Sequence, residues 1–414
     1  MRAVLRRERR EGVTFSANLY NIILGNSCAH STLCSSEKKR FRHTRSSNTK
    51  HIMDIASLSE TLRDQTLPIQ DRFHALFTLR SLEKNPEAVA ALVGALDVGE
   101  NAALSSSSSL HADALFRHEV AFALGQMRAK EATQTLIAVL KNQNEHGMTR
   151  HECAEALGAI ADETSLEVLR DMREDAKHRE VRETASLALR RVEHVVGNSS
   201  SSISGSSSNV ATTTMTGALV GSKKESTAVV VVDEEEDGGG YATYSVDPVP
   251  AMDESVETET LADIILDDAA DIWDRYAAMF ALRNRAQKTF GLTKKTKENE
   301  QLVQLCSSTL GKTLRSETVQ SALLKHEICY VLGQLRDDDD NEIARKALFE
   351  CLEDPNEHAM VRHEAAEAIG SRGGQGAEAI LRKYLACEDR VVSESCEVAL
   401  DMLRENEEGT FVAL

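Results

Sequence analysis

Apolar residues recur along most of this chain at i, i+3 and i+4, the spacing that gathers them on one face of a helix. In HEAAEAIG, for example, Ala365, Ala368 and Ile369 form such a stripe, with small side chains suited to close helix packing. The pattern fills residues 54–196 and 257–405, and the two stretches repeat each other. RFHALFTLR (72–80) matches RYAAMFALR (275–283), and RHEVAFALGQMR (117–128) matches KHEICYVLGQLR (325–336). NEHGMTRHECAEALG (144–158) matches NEHAMVRHEAAEAIG (356–370), and REVRETASLAL (179–189) matches DRVVSESCEVAL (389–400) more loosely. Within a half, His118 and His151 stand 33 residues apart and His151 and Glu183 stand 32 apart. A period of that size with helical patterning is the signature of an alpha solenoid, in which each hairpin is stable only against its neighbours. The expectation is an all-α chain of eight helical hairpins in two pseudo-symmetric halves. Gly158 and Gly370 are expected where an inner helix bends or ends.

Composition agrees with that class. Of 414 residues, 4% are aromatic, five are proline and one is tryptophan, as suits a helical protein. The formal net charge of −18 argues against nucleic acid as the main partner, because phosphate binding needs a basic face. It suits solubility, or a basic protein partner. The eight cysteines include no Cys-x-x-Cys pair and no secretory signal precedes them, so reduced thiols in the cytoplasm are expected. The longest purely apolar run, Tyr276 to Leu282, is too short to span a bilayer.

Two stretches break the helical pattern. Residues 1–50 carry 11 Lys and Arg against Glu8, Glu11 and Glu37, and read as a disordered basic extension or, less well, an organelle transit peptide. Residues 197–256 open with GNSSSSISGSSSN and later hold DEEEDGGG, and read as a disordered linker. A serine run, Ser105 to Ser109, reads as a loop insertion.

The chemistry concentrates at one repeat position. In the second and third hairpins of each half the inner helix begins with His118-Glu119, His151-Glu152, His326-Glu327 and His363-Glu364. The flanking hairpins have Phe73-His74, Glu183-Thr184, Tyr276-Ala277 and Glu394-Ser395 there, so folding a repeat does not require the pair. Glutamate in a first helical turn is favoured by the helix dipole alone, which accounts for one pair but poorly for four among 13 histidines. Equivalent positions of adjacent repeats share a face. If the halves oppose each other across a pseudo-twofold axis, four imidazoles and four carboxylates converge. Imidazole and carboxylate without thiolate suit divalent iron, and two His with one carboxylate leave positions open for dioxygen. A zinc-protease helix would need a second His four residues on, where Glu155 and Glu367 stand instead. Ferritin-like bundles use Glu-x-x-His, whereas Met148 and Met360 precede these histidines by three.

On RHEVAFALGQ, RHECAEALG, KHEICYVLGQ and RHEAAEAIG, the chain resembles the deoxyhypusine hydroxylases, HEAT-repeat enzymes with four His-Glu motifs. The resemblance implies a HEAT-like solenoid, two Fe2+ ions and O2 as co-substrate. The substrate it implies is the deoxyhypusine side chain of eukaryotic translation initiation factor 5A, hydroxylated to hypusine. All eight His and Glu residues then belong to the metal set. One iron is assigned to His118, His151 and Glu152, the other to His326, His363 and Glu364. Glu119 and Glu327 remain as catalytic outer groups or as holders of the substrate amine. Met148 and Met360 are expected in the substrate channel or in the core. Glu155 and Glu367 are expected to orient the imidazoles or to pair with an arginine, and His146 and His358 to occupy turns. The chain departs from the family in its N-terminal extension, serine run, long linker and the 37-residue spacing from His326 to His363, where Asp337 to Asp340 intervene. A monomer is expected, with neither nucleic acid nor membrane as partner. A non-catalytic repeat scaffold, a bilin-lyase-like repeat protein and a di-iron protein of another activity are the rival readings.

Overall fold

A computed structural model describes residues 54–82, 85–96, 113–202, 247–290, 296–335 and 342–407. The basic extension, the serine run and the aspartate insertion lie outside these residues. The described chain is helical without a strand, as sixteen α-helices in eight hairpins. The first half comprises α1 (Ile55–Arg63), α2 (Ile69–Arg80), α3 (Pro86–Leu96), α4 (Ala114–Gln126), α5 (Thr133–Lys141), α6 (Gly147–Ile160), α7 (Leu166–Met172) and α8 (Arg179–Ser202). The second comprises α9 (Thr258–Leu266), α10 (Ile272–Phe290), α11 (Lys297–Leu314), α12 (Ala322–Gln334), α13 (Glu342–Glu353), α14 (Ala359–Arg372), α15 (Ala377–Tyr384) and α16 (Arg390–Glu407). Among the described residues no helix is long and apolar enough to cross a membrane.

Short polar side chains start these helices. Asp54 accepts from Ser57 N at 2.8 Å and Ser321 Oγ from Leu324 N at 3.0 Å, each satisfying an otherwise orphaned N–H. His146 and His358 do the same for α6 and α14, their Nδ1 atoms accepting from Met148 N and Met360 N at 3.2 Å. Both histidines are therefore helix caps.

The even-numbered helices form the inner layer. Each packs on the next, and the series closes: α8 meets α10 and α12, and α16 meets α2 and α4. The solenoid is thus a closed ring. At one seam Arg190 pairs with Asp271 and Ser321 Oγ donates to Glu183 at 2.6 Å. At the other, His74 Nε2 lies 2.7 Å from Asp401 and Gln70 donates to Glu397 at 3.3 Å. His74 and Glu183 belong to the positions that carry His-Glu elsewhere, so the flanking repeats use this position to close the ring.

Glycine sets how closely inner helices approach. A Cβ on Gly125 would lie 2.8 Å from Ala156 Cα, on Gly158 2.9 Å from Ala188 Cβ, and on Gly370 2.7 Å from the Ala399 backbone. Gly158 and Gly370 do not end their helices, one of the two roles expected of them from the sequence. Those ends fall at Ala161 and Gly373, both with positive φ, and the glycines serve close packing instead.

The linker is also shorter than 197–256. Residues 197–202 continue α8, and residues 247–256 dock between the halves. Asp247 binds the Arg283 guanidinium through its carboxylate and accepts from Arg191 Nη1 at 2.7 Å through its carbonyl, while Val249 is fully buried. Met252 N donates to Ala277 O at 3.0 Å. Asp and Pro in this segment read as linker because the contacts that order it come from α8 and α10.

Candidate metal centre

A basic residue precedes each His-Glu pair, and it sets where the pair sits. Arg150 donates to Leu140 O, the end of its own outer helix, at 2.8 Å and to Asp175 of the next hairpin at 2.7 Å. Arg117 likewise binds Leu96 O and Glu145, Arg362 binds Leu352 O, and Lys325 pairs with Glu357. The outer hairpins keep the device in Arg72 and Arg275, which bind Leu62 O and Ile265 O. Each of these arginines ties an inner helix to its outer helix, and Arg72, Arg117 and Arg150 also reach the neighbouring repeat, whereas Lys325 pairs with the neighbouring repeat alone. The histidine that follows such a residue therefore points along a defined direction from the inner layer.

Those directions meet at the centre of the ring. The imidazole centroids of His118 and His151 are 5.4 Å apart, those of His326 and His363 5.2 Å. Across the halves, His118 lies 5.0 Å from His363 and His151 5.5 Å from His326. All four are at most 7% exposed. Glu119 Oε1 stands 2.9 Å from His118 Nδ1, Glu152 Oε2 3.2 Å from His118 Nε2, and Glu364 Oε2 3.3 Å from His326 Nε2. Glu327 is 7% exposed and makes no such bond to His326, so the two halves differ here. Met148 and Met360, each 1% exposed, pack in the apolar core.

The electrostatics are those of imidazoles and carboxylates crowded together out of solvent. Burial opposes charge on His118, but the Glu152 and Glu119 carboxylates outweigh it and hold that imidazole well above its usual range. Burial, reinforced by neighbouring histidines, pushes His151, His326 and His363 well below theirs. Burial and adjacent carboxylates push Glu327, Glu364 and Glu367 well up, and Glu155 to about 8. Both nitrogens of His151, Nε2 of His118, Nδ1 of His326 and of His363, and Oε1 of Glu367 are buried without a hydrogen-bond partner. The 3.2 Å approach of Glu152 to His118 Nε2 lacks the alignment of a hydrogen bond. Buried polar atoms are normally satisfied, and lone pairs left over on convergent imidazoles and carboxylates are what a cation would take up.

Three groups have donor atoms mutually within 4.8 Å: His118, His151 and Glu152; His363, Glu364 and Glu367; and, across the halves, His118, His326 and His363. No cysteine enters any of them. The residue that sequence reasoning undervalued is Glu367. Its Oε1 lies 3.5 Å from His363 Nδ1 and it pairs with no arginine, so it is a candidate ligand or an orienting group. Glu155 occupies the same repeat position, makes no hydrogen bond to His151, and lines a cleft with Arg191. One turn of helix separates each from its histidine, and nothing in the sequence distinguishes them.

Comparison with known proteins agrees with this picture. A HEAT-repeat family model matches residues 101–190 and 307–401. The chain is 36% identical over 352 residues to deoxyhypusine hydroxylase-B of Oryza sativa subsp. japonica, covering 85% of this chain and 93% of that one. It is 36% identical over 358 residues to deoxyhypusine hydroxylase of Bos taurus, covering 86% and 94%. Its structure resembles that of human deoxyhypusine hydroxylase in complex with glycerol, with a TM-score of 0.62 and 34% identity over 85% of this chain and 96% of that one.

Proposed function

This chain belongs to the deoxyhypusine hydroxylase family, and from that premise we propose how its residues carry out a metal-dependent hydroxylation. The substrate is the deoxyhypusine residue of eukaryotic translation initiation factor 5A, converted to hypusine with O2 as co-substrate. The metals are two Fe2+ ions, one held by His118, His151 and Glu152 and the other by His326, His363 and Glu364. When bound, they supply what no side chain can: a route from O2 to an oxidant strong enough for an unactivated C–H bond.

The protein's own groups do the rest. The ring of inner helices buries all four imidazoles and keeps bulk water from the reacting carbon. Glu119, 2.9 Å from His118 Nδ1, fixes that ring so that Nε2 faces the centre. Glu327 has no bond to His326 and is free to receive an amine of the substrate chain. The acids around the centre complement a cationic side chain, as the acidic balance of the whole chain complements a basic partner. The reaction takes place in the cytoplasm, with one chain as the working unit because a single ring provides all eight residues.

The observation that carries this reading is the set of buried, unpartnered histidine nitrogens drawn from both halves to one point. The test is incubation of iron-loaded protein with deoxyhypusine-bearing initiation factor and O2, read by mass spectrometry. A gain of one oxygen at the modified lysine is the expected result. No gain with two irons bound would leave the metal centre standing and remove the substrate.

A further inference from the structure

One cleft in the first half reaches Glu152 at the edge of the metal centre. Its floor is Glu152 and Glu155, its walls include Phe122 and the helix-packing alanines of α6 and α8, and its mouth is edged by Ala159, Arg191 and Pro248. Its volume is about 420 Å³ with the solvent-open mouth included. A mostly apolar lining with acids at its end matches the chemistry of an aliphatic chain that carries amines. Two further observations point to a donor arriving from outside. The Gln126 Oε1 acceptor lies buried in this cleft with no hydrogen-bond partner. No side chain among the described residues hydrogen-bonds the Glu155 carboxyl, and Arg191, which lines the same cleft, gives its Nη1 to the Asp247 carbonyl.

The second half keeps the buried, unpartnered glutamine oxygen, at Gln334, but differs at the positions that match Arg191 and Glu155. Met402, 3% exposed, stands where Arg191 stands, and Glu367 turns to His363 instead of facing a passage. The docked segment from Asp247 supplies Pro248 to the first-half cleft. Resting on the substrate reading above, we propose that this cleft is the port through which the cationic aliphatic side chain reaches the centre, and that Glu155 and Gln126 receive its amine groups. The pseudo-twofold symmetry of the metal ligands is thus broken at the entrance, and substrate arrives from one side.

The test uses the full iron-loaded chain, with the deoxyhypusine-bearing factor as probe. Ala159→Trp fills the mouth of the cleft, and Ser371→Trp is its counterpart in the second half. Glu155→Gln removes a charge-assisted bond, which raises KM about tenfold or more while kcat and iron content stay near those of the unsubstituted chain. Glu155→Asp restores part of that KM. Ala159→Trp loses most of kcat/KM and most of its binding of the factor by calorimetry, with both irons retained, whereas Ser371→Trp keeps both properties. If Glu155→Gln and Ala159→Trp keep normal kinetics, or if Ser371→Trp is the variant that blocks, the port is not here. Should Ala159→Trp lose iron, the KM of Glu155→Gln decides. An unsubstituted chain that binds two irons and never hydroxylates the factor overturns the substrate reading and the port together.

Discussion

His118, His151, His326 and His363 each follow a basic side chain whose bonds tie an inner helix to its surroundings. At Arg150 the guanidinium is fully buried and Asp175 is 6% exposed, so the pair is a buried ion pair. Removing one partner of such a pair costs about 3–5 kcal/mol, because the other charge is left buried. Asp175→Asn should therefore lower unfolding stability by about that much in denaturant titrations, with Arg150 the stranded charge. Burial opposes ionisation of Asp175, but bonds from Arg150 and from the His178 and Lys177 N–H groups hold its carboxyl well below the usual 3.8. A depressed acid stabilises the fold above its unfolded value and loses that contribution as pH falls. The wild-type chain should thus lose stability on acidification below about pH 3.8, and Asp175→Asn should show a flatter pH profile there. At the centre, His363→Ala removes a member of both second-half and cross-half groups. Iron measured by mass spectrometry should fall from two per chain to one or fewer, and full retention of two would sink the assignment.

At the scale of elements, spacing between inner helices decides whether the imidazoles reach one another. Gly370 meets the Ala399 backbone, at 2.7 Å from a Cβ placed there, whereas Gly333 meets the Ala368 Cβ first, at 3.1 Å. An alanine Cβ moves only with its backbone, so the shorter distance at Gly370 is what sets the two sites apart. Gly370→Ala should therefore cost about 1–3 kcal/mol in denaturant unfolding, as overpacked interiors do, and Gly333→Ala less. Because α14 carries His363, Gly370→Ala should also weaken iron binding in a chelator competition, and equal effects of the two substitutions would refute the packing account.

For the whole molecule, the ring makes the metal centre a joint between halves. Arg283 is 3% exposed and depends on Asp247 for its counter-charge, and the seams add Arg190 with Asp271 and His74 with Asp401. An exposed pair such as Arg190 with Asp271 contributes little, about 0–1 kcal/mol, so metal held by residues of both halves should add to the seam. A protease site placed within residues 203–246 and cut after purification should leave the halves associated on size-exclusion chromatography when iron is bound. A chelator should weaken that association. Halves that separate with iron in place would show that ligands are not shared across the ring.

Sequence by itself determined the repeats, the eight hairpins, the two halves and the four positions that carry His-Glu. These are legible because helical periodicity and duplication are written in local spacing, and the flanking repeats provide a contrast within one chain. Tertiary structure alone decided the rest. Gln70 meets Glu397 across 327 residues, and no local pattern encodes a seam between such distant surfaces. Residues 247–256 read as linker because their order comes from α8 and α10, and Gly158 and Gly370 read as helix bends or ends because the alanines they face are a repeat away. Glu155 and Glu367 carry the same sequence signature, yet Glu367 turns to His363 and Glu155 to a cleft. Arg191 lines that cleft from the next inner helix where the second half has Met402, a contrast that only the packing of the helices brings to bear.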